Sequence, residues 1–108
     1  MSGYWLTGDM TVAKCGDLID AVIKAMNMEK AHGSIVWHYP VAGKGGEGFS
    51  LCQPITTSLV TIDAWPKAEI PHASLIIQSC IHFNDSDVVA TAEAFGYKIR
   101  DKFNNVLG

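Results

Sequence analysis

The chain has 108 residues, a length typical of one domain, so residues 1–108 are treated as a single unit. Hydrophobic residues make up 48% and charged residues 18%, which argues against a disordered chain and favours burial of apolar surface between subunits. The net charge of −3 gives no attraction to nucleic acid or to a membrane surface. The sequence has no signal-peptide pattern, no stretch long enough to span a bilayer and no paired cysteine spacing, which together favour the cytoplasm.

Hydrophobic periodicity predicts the first three elements. These are a strand from Tyr4 to Met10, a helix from Asp17 to Ala31 and a strand from Ser34 to Tyr39. The helix carries one apolar stripe, with Asp17 placed at its positive N-terminal end and Gly33 placed as its C-cap. The short strand is rich in β-branched and aromatic residues, which favour strands.

The middle of the chain predicts three further strands. A Gly-rich loop at residues 43–48 precedes strands from Phe49 to Gln53 and from Thr57 to Trp65, with a bend at Pro54 between them. The longer strand alternates, so its odd-numbered and even-numbered side chains are expected on opposite faces of the sheet. After a proline-containing connection, residues Ala73 to His82 form another strand.

The last element is predicted to be a long helix. Residues 84–87, Asn-Asp-Ser-Asp, are a strong helix start, and apolar residues recur at helical spacing from there to Val106. Lys98, Arg100 and Lys102 would then complement the dipole at the end of this helix. The order β-α-β-β-β-β-α predicts an α+β two-layer sandwich, an antiparallel sheet with both helices on one face. The other face is expected to meet a partner subunit or a ligand.

Three generic site patterns are weak. The Gly-rich loop contains G-x-G-x-x-G, but it leads into a strand, so we interpret it as a hairpin loop and not as a phosphate site. The four histidines show no metal-ligand spacing, and we predict no metal site. Ser58, Asp63 and His72 are the residue types of a hydrolase triad, but the G-x-S-x-G elbow is missing.

A stronger pattern begins at Thr57. Residues 57–66, Thr-Ser-Leu-Val-Thr-Ile-Asp-Ala-Trp-Pro, resemble the hallmark strand of the prokaryotic and phage S-adenosylmethionine decarboxylases, which runs Glu-Ser-His-Ile-Ser-Ile-His-Thr-Trp-Pro. In that family the serine attacks its preceding peptide bond, elimination of the ester splits the chain, and the serine becomes an N-terminal pyruvoyl group. This ketone forms a Schiff base with the substrate amine and acts as the electron sink when CO2 leaves.

The resemblance covers nearly the whole chain and implies roles for individual residues. Ser58 falls on the pyruvoyl-forming serine, which makes Thr57-Ser58 the implied self-cleavage site. Ser50, eight residues upstream, matches the serine that assists processing. Cys80 matches the cysteine that returns a proton to the decarboxylated carbon. Tyr39 matches an aromatic residue near the adenine of the substrate.

The processing motif departs from the family pattern at several positions. Thr57 replaces a glutamate, Leu59 replaces a histidine, and Lys67 replaces the acid after Trp-Pro. Asp63 replaces the histidine that promotes elimination. A carboxylate is a poorer base than imidazole because its ordinary pKa is about 4.

The resemblance implies a cytoplasmic homodimer that decarboxylates S-adenosylmethionine for polyamine synthesis, with a pyruvoyl cofactor made from Ser58. We expect a cleft where the Gly-rich loop, Ser58, Asp63 and Cys80 converge, with Tyr39 and Trp65 contacting the substrate. Ser50 and Asp63 would assist processing. Two alternatives stay open. One is an unprocessed, non-catalytic relative that binds S-adenosylmethionine or a partner subunit, and the other is a pyruvoyl enzyme that acts on a different amino acid.

Overall fold

The computed structural model describes residues 1–39 and 47–104. Over these ranges the chain folds into six strands and two helices, with one strand more than the sequence predicted. In chain order the elements are β1 (Ser2–Thr7), α1 (Val12–Ala25), β2 (Ile35–Tyr39), β3 (Gly48–Ile55), β4 (Ser58–Trp65), β5 (His72–Ser79), α2 (Asp85–Ala94) and β6 (Lys98–Asn104).

All six strands belong to one antiparallel sheet in the order β2-β3-β4-β5-β1-β6. Strands β2 to β5 follow one another as a meander, and β1 then lies between β5 and β6. The two helices pack against each other and against the same face of the sheet. The fold is therefore an α+β two-layer sandwich, as predicted. In the described part of the chain, neither helix is long and apolar enough to cross a membrane.

The alternation of β4 separates a helix-covered face of the sheet from an open face. Val60, Ile62 and Ala64 are fully buried under the helices, whereas Thr61 and Asp63 are half-buried on the open face. This confirms the alternation that the sequence predicted. The helix-covered core is completed by buried residues from β1, α1, β3, β5 and α2, among them Leu6, Leu18, Val22, Leu51, Leu75 and Val88.

Helix α1 begins and ends earlier than predicted. The hydroxyl of Thr11 accepts a hydrogen bond from the Lys14 N–H at 3.0 Å, which is the standard N-cap contact. Beyond the other end, Asn27 takes the left-handed conformation, with φ at 58°, that commonly follows a helix. Asp17 therefore lies inside the helix and Gly33 lies well beyond it, so neither is a cap. The predicted apolar stripe was correct and its bounds were wrong.

The C-terminal segment is not one long helix. Helix α2 ends at Ala94, and Gly96 has a φ of +87°, a conformation that only glycine adopts without cost. The chain then turns back and adds β6 beside β1. Lys98, Arg100 and Lys102 consequently lie on an edge strand, where charge deters pairing with other chains. The predicted role of these residues at a helix end was wrong.

Strand β3 runs through Pro54, which the sequence predicted as a bend. The proline is tolerated there because β2 pairs with β3 only as far as Cys52, so the missing N–H of Pro54 breaks no ladder with β2. The final pair of the β3–β4 hairpin is Ile55 with Ser58. This leaves Thr56 and Thr57 as the two turn residues.

Candidate functional site

The Thr57-Ser58 peptide bond lies where the β3–β4 turn enters β4. Ser58 is exposed to solvent and Thr57 is half-buried. Ser58 is paired on its other side with Ser79, the last residue of β5. The implied cleavage site is therefore a solvent-accessible bond at one end of the sheet.

Cys80 lies beside this turn. Its backbone N–H donates a hydrogen bond to the carbonyl of Thr57 at 3.2 Å. This carbonyl is the one that the Ser58 hydroxyl would attack, and an N–H donor stabilises the negative charge that develops on such an oxygen. The hydroxyls of Thr57 and Ser79 are 3.4 Å apart. We call Thr57, Ser58, Ser79 and Cys80 the hairpin group.

A cavity of about 570 Å³ adjoins the hairpin group, because Ser79 contributes to its wall. Tyr4 and Asp85 also line it, and the Tyr4 hydroxyl donates to Asp85 Oδ1 at 2.6 Å. The other carboxylate oxygen, Asp85 Oδ2, accepts a hydrogen bond from Lys102 Nζ at 2.9 Å. The bonds from Tyr4 and then Lys102 lower the pKa of Asp85, while burial raises the pKa of Tyr4. These contacts tie the start of α2 to β1 and β6.

Ser50, Asp63 and Tyr39 form a second cluster, on the open face. Ser50 of β3 is paired with Asp63 of β4, and its hydroxyl donates to the Asp63 carboxylate. The Tyr39 hydroxyl is hydrogen-bonded to that of Ser50 and donates to Asp63 Oδ1 at 3.2 Å. Ser50 is fully buried, and the other two are half-buried. We call these three residues the open-face cluster.

Trp65 adds an aromatic surface beside the open-face cluster. A Cβ atom on Gly48 would approach Tyr39 Cδ2 to 2.9 Å and Trp65 Cδ1 to 3.3 Å, so both rings border this glycine. Trp65 stacks on His72 of β5 with ring centroids 5.2 Å apart. The Nδ1 atom of His72 is 2.9 Å from the Ile70 carbonyl, which fixes the orientation of the imidazole.

The hairpin group and the open-face cluster lie at opposite ends of β4. Ser58 and Asp63 are five residues apart on this strand, or roughly 16 Å. Because five is odd, their side chains also leave opposite faces of the sheet. Within one chain, Ser58 and Cys80 lie at the same turn but Asp63 does not, so the predicted convergence of the three residues does not occur inside a single chain. The same separation removes the possible Ser58–Asp63–His72 triad. Most of the Gly-rich loop that was expected to join this cleft, residues 43–46, falls outside the described residues.

Sequence reasoning missed the other residues that build the two sites. Ser79 carried a signal, since it becomes the neighbour of Ser58 once the two strands are paired. Gly48 was interpreted only as part of a loop, although it starts β3 and borders both aromatic rings. Asp85 was interpreted as helix-start chemistry, and its bond to Tyr4, 81 positions away in sequence, has no local signal.

Residues 1–39 and 47–104 contain no group of three histidine, cysteine or acidic side chains that could hold a metal ion. Comparison with known proteins identifies no relative, since the chain matches no protein-family model, no curated protein and no solved structure. The chemistry is therefore argued from the sequence motif and from the geometry of the two sites.

Proposed function

We propose that the chain is a self-processing decarboxylase of S-adenosylmethionine that works as a cytoplasmic homodimer and serves polyamine synthesis. The observation that carries this proposal is the hydrogen bond from the Cys80 N–H to the Thr57 carbonyl, at the peptide bond that the sequence motif marks for cleavage. Ser58, whose hydroxyl would attack that carbonyl, is exposed at the end of β4. The nucleophile Ser58 and the electrophilic carbonyl of Thr57 are thus neighbours in sequence, and the donor Cys80 lies beside them at the end of β5.

Self-cleavage balances without an added oxidant. The Ser58 hydroxyl adds to the Thr57 carbonyl carbon, the peptide C–N bond breaks, and an ester and a free Ser58 amine result. Loss of the Ser58 Cα proton expels the Thr57 carboxylate and leaves a dehydroalanine. One water then replaces its nitrogen, which departs as ammonia, and a ketone stands at residue 58. The Cys80 N–H assists the first step because charge develops on the oxygen that it contacts.

Two features near Ser58 support a pyruvoyl group at that position, although of the hairpin group only Ser79 lines the adjoining cavity. After cleavage, residue 58 would begin a new chain end that the pairing with Ser79 and the rest of β5 still holds in place. The adjoining cavity of about 570 Å³ has the size of a small-molecule site. A pyruvoyl group supplies a ketone that holds the substrate amine and withdraws electrons while CO2 leaves. The exposed thiol of Cys80 is the proton donor that the proposal assigns to the product carbon.

The separation of Ser58 from Asp63 is the reason to propose a dimeric site. In a two-fold symmetric dimer whose axis crosses β4 at a right angle, each end of β4 lies over the opposite end of β4 in the second copy. Asp63 and Ser50 of one copy would then have to reach Ser58 of the other at the exposed end of its sheet, because Ser58 leaves the helix-covered face and not the open face. The open face also suits association, since Trp5, Ile35 and Trp37 are 38%, 50% and 45% exposed.

The test of the proposal is the intact mass of the freshly purified protein under denaturing conditions. We expect two fragments, one ending at Thr57 and one beginning at a pyruvoyl derived from Ser58. Their masses should sum to almost the 11.7 kDa of the chain, because one water gained nearly balances one ammonia lost. Simple hydrolysis would add a whole water instead. A Ser58→Ala chain should stay whole, and a wild-type chain that also stays whole would overturn the proposal.

One observation favours a second candidate, an unprocessed relative that binds S-adenosylmethionine without catalysis. Asp63 is bonded to Ser50 and Tyr39 and lies far from Ser58, so a single chain does not assemble the processing residues. This candidate predicts one uncut chain that releases or absorbs heat when titrated with S-adenosylmethionine. A cut chain that releases CO2 from another amino acid would instead identify a changed substrate.

A further inference from the structure

The carboxylate of Asp63 has no counter-ion among the residues that the structure describes. The ion pairs there are Lys30–Asp20, Lys67–Glu47 and Lys102–Asp85, with N···O distances of 2.8, 2.7 and 2.9 Å. Asp63 is held instead by two neutral hydroxyls, from Ser50 and Tyr39, and both are bonded to the same oxygen, Oδ1. A half-buried negative charge thus lies on the open face with neutral donors around it.

Two aromatic side chains lie on the same face of the sheet as this carboxylate. The Tyr39 hydroxyl contacts it directly, and the Tyr39 and Trp65 rings both border Gly48, which is two residues from Ser50 on β3 and shares its face. Trp65 is two residues from Asp63 on the same strand and therefore shares its face of the sheet. Trp65 is braced from the far side by its stack on His72. The carboxylate and the two aromatic rings therefore share one region of the open face.

The register of the sheet places Asp63 in the middle of a row that has a tryptophan at each end. One row across the open face runs from Trp37 through Ser50, Asp63 and Ser74 to Trp5, each residue paired with the next. The middle of the row has short side chains and both ends have indoles. Four strand spacings place the two tryptophans roughly 19 Å apart at the backbone. Asp63 is half-buried and is reached from solvent, whereas Ser50 and Ser74 on either side of it are buried.

We infer that Asp63, Tyr39 and Trp65 form a binding site for a small organic cation, a sulfonium or an alkylammonium group. A carboxylate supplies opposite charge, and aromatic faces attract weakly hydrated organic cations. The inference rests on the proposed function for the identity of the natural ligand, because S-adenosylmethionine carries a sulfonium. It changes the role of Asp63, which would bind the charge of the substrate at the position where the family pattern has a histidine.

The test uses the Ser58→Ala chain, which has no self-cleavage to complicate binding. Trimethylsulfonium and tetramethylammonium are titrated against the tryptophan fluorescence, with tert-butanol as the neutral probe of similar shape. Both cations should give a saturable change and tert-butanol none. Adding Asp63→Asn should weaken cation binding at least tenfold, and adding Trp65→Leu should weaken it severalfold.

Asp101→Asn is the matched control, because Asp101 is paired with Trp5 at the β6 end of the same row and loses the same charge. This control should bind the cations as the Ser58→Ala chain does. Equal binding of tert-butanol, or equal weakening by the Asp63 and Asp101 changes, would overturn the inference. Neither result depends on cleavage. An uncut wild-type chain would therefore overturn the proposed function without affecting the inference of a cation site. A wild-type chain that is cut, together with a Ser58→Ala chain that does not bind the cations, would support the proposed function and overturn the inference of a cation site.

Discussion

A mixture of two inactive chains should regain self-cleavage if the processing site is shared between copies. A Ser58→Ala chain lacks the nucleophile but keeps the open-face cluster, and an Asp63→Asn chain lacks the carboxylate but keeps the hairpin group. In a mixed dimer, Ser58 of the second chain meets Asp63 of the first, which restores one complete site. The other site of that dimer lacks both residues. The roughly 16 Å between Ser58 and Asp63 in one chain is the reason to expect this behaviour.

The expected yield follows from random pairing. Equal amounts of the two chains, unfolded together and refolded, should give about half mixed dimers, and one chain of each mixed dimer can be cut. About a quarter of all chains, or half of the Asp63→Asn chains, should therefore appear as fragments in a denaturing mass spectrum. Each variant refolded alone should stay whole. As a control, Asp101→Asn mixed with Ser58→Ala should be cut at every Ser58.

Two outcomes would refute this reasoning. If the wild-type chain is cut and the mixture is not, Asp63 acts within its own chain, against the separation that β4 imposes. If the Asp63→Asn chain is cut normally by itself, Asp63 has no part in processing. In that second case the hairpin group suffices, and the binding role argued for Asp63 becomes its whole contribution.

Two further predictions concern the framework that holds the sites. Gly96→Ala should destabilise the fold by about 1 kcal/mol in urea unfolding, because φ there is +87° and no atom crowds the new methyl group, whereas Gly33→Ala should cost less. Asp85, whose pKa is lowered by the bonds from Tyr4 and Lys102, should contribute stability that is present above its unfolded pKa and lost as the pH falls through its folded pKa. Tyr4→Phe should therefore flatten the acid side of the stability–pH curve, and an unchanged curve would show that this bond does not control Asp85.

The parts of the fold that could be predicted are those with an uninterrupted period. β4 alternates over its whole length, and α1 carries one apolar stripe, so both were found. The C-terminal segment misled because Ile99 and Phe103 are four residues apart, a spacing that helical and strand periods share. A register shift opposite β6, between Trp5 and Leu6, further hides the strand pattern. Gly96 indicated the end of the helix in the sequence, but the prediction followed the apolar periodicity and extended the helix past it.

Some features of the candidate site could likewise be predicted from the sequence and others could not. The motif around Ser58 could be found in the sequence because neighbouring residues carry it. The pairings of Ser50 with Asp63 and of Ser58 with Ser79 needed the register of three strands. That Ser58 and Asp63 do not meet within one chain, however, could have been deduced from the sequence. The alternation of β4 puts residues of opposite parity on opposite faces, and positions 58 and 63 have opposite parity.

The two roles argued for Asp63 make different demands on its carboxylate. A base must accept the Ser58 Cα proton, and it would then have to exchange an acceptor contact with Ser50 or Tyr39 for its own O–H. A receptor for a cation keeps its charge and both contacts throughout. The open-face cluster is thus better suited to hold a charge than to move a proton. If the chain processes itself as proposed, elimination is therefore the step expected to be least efficient.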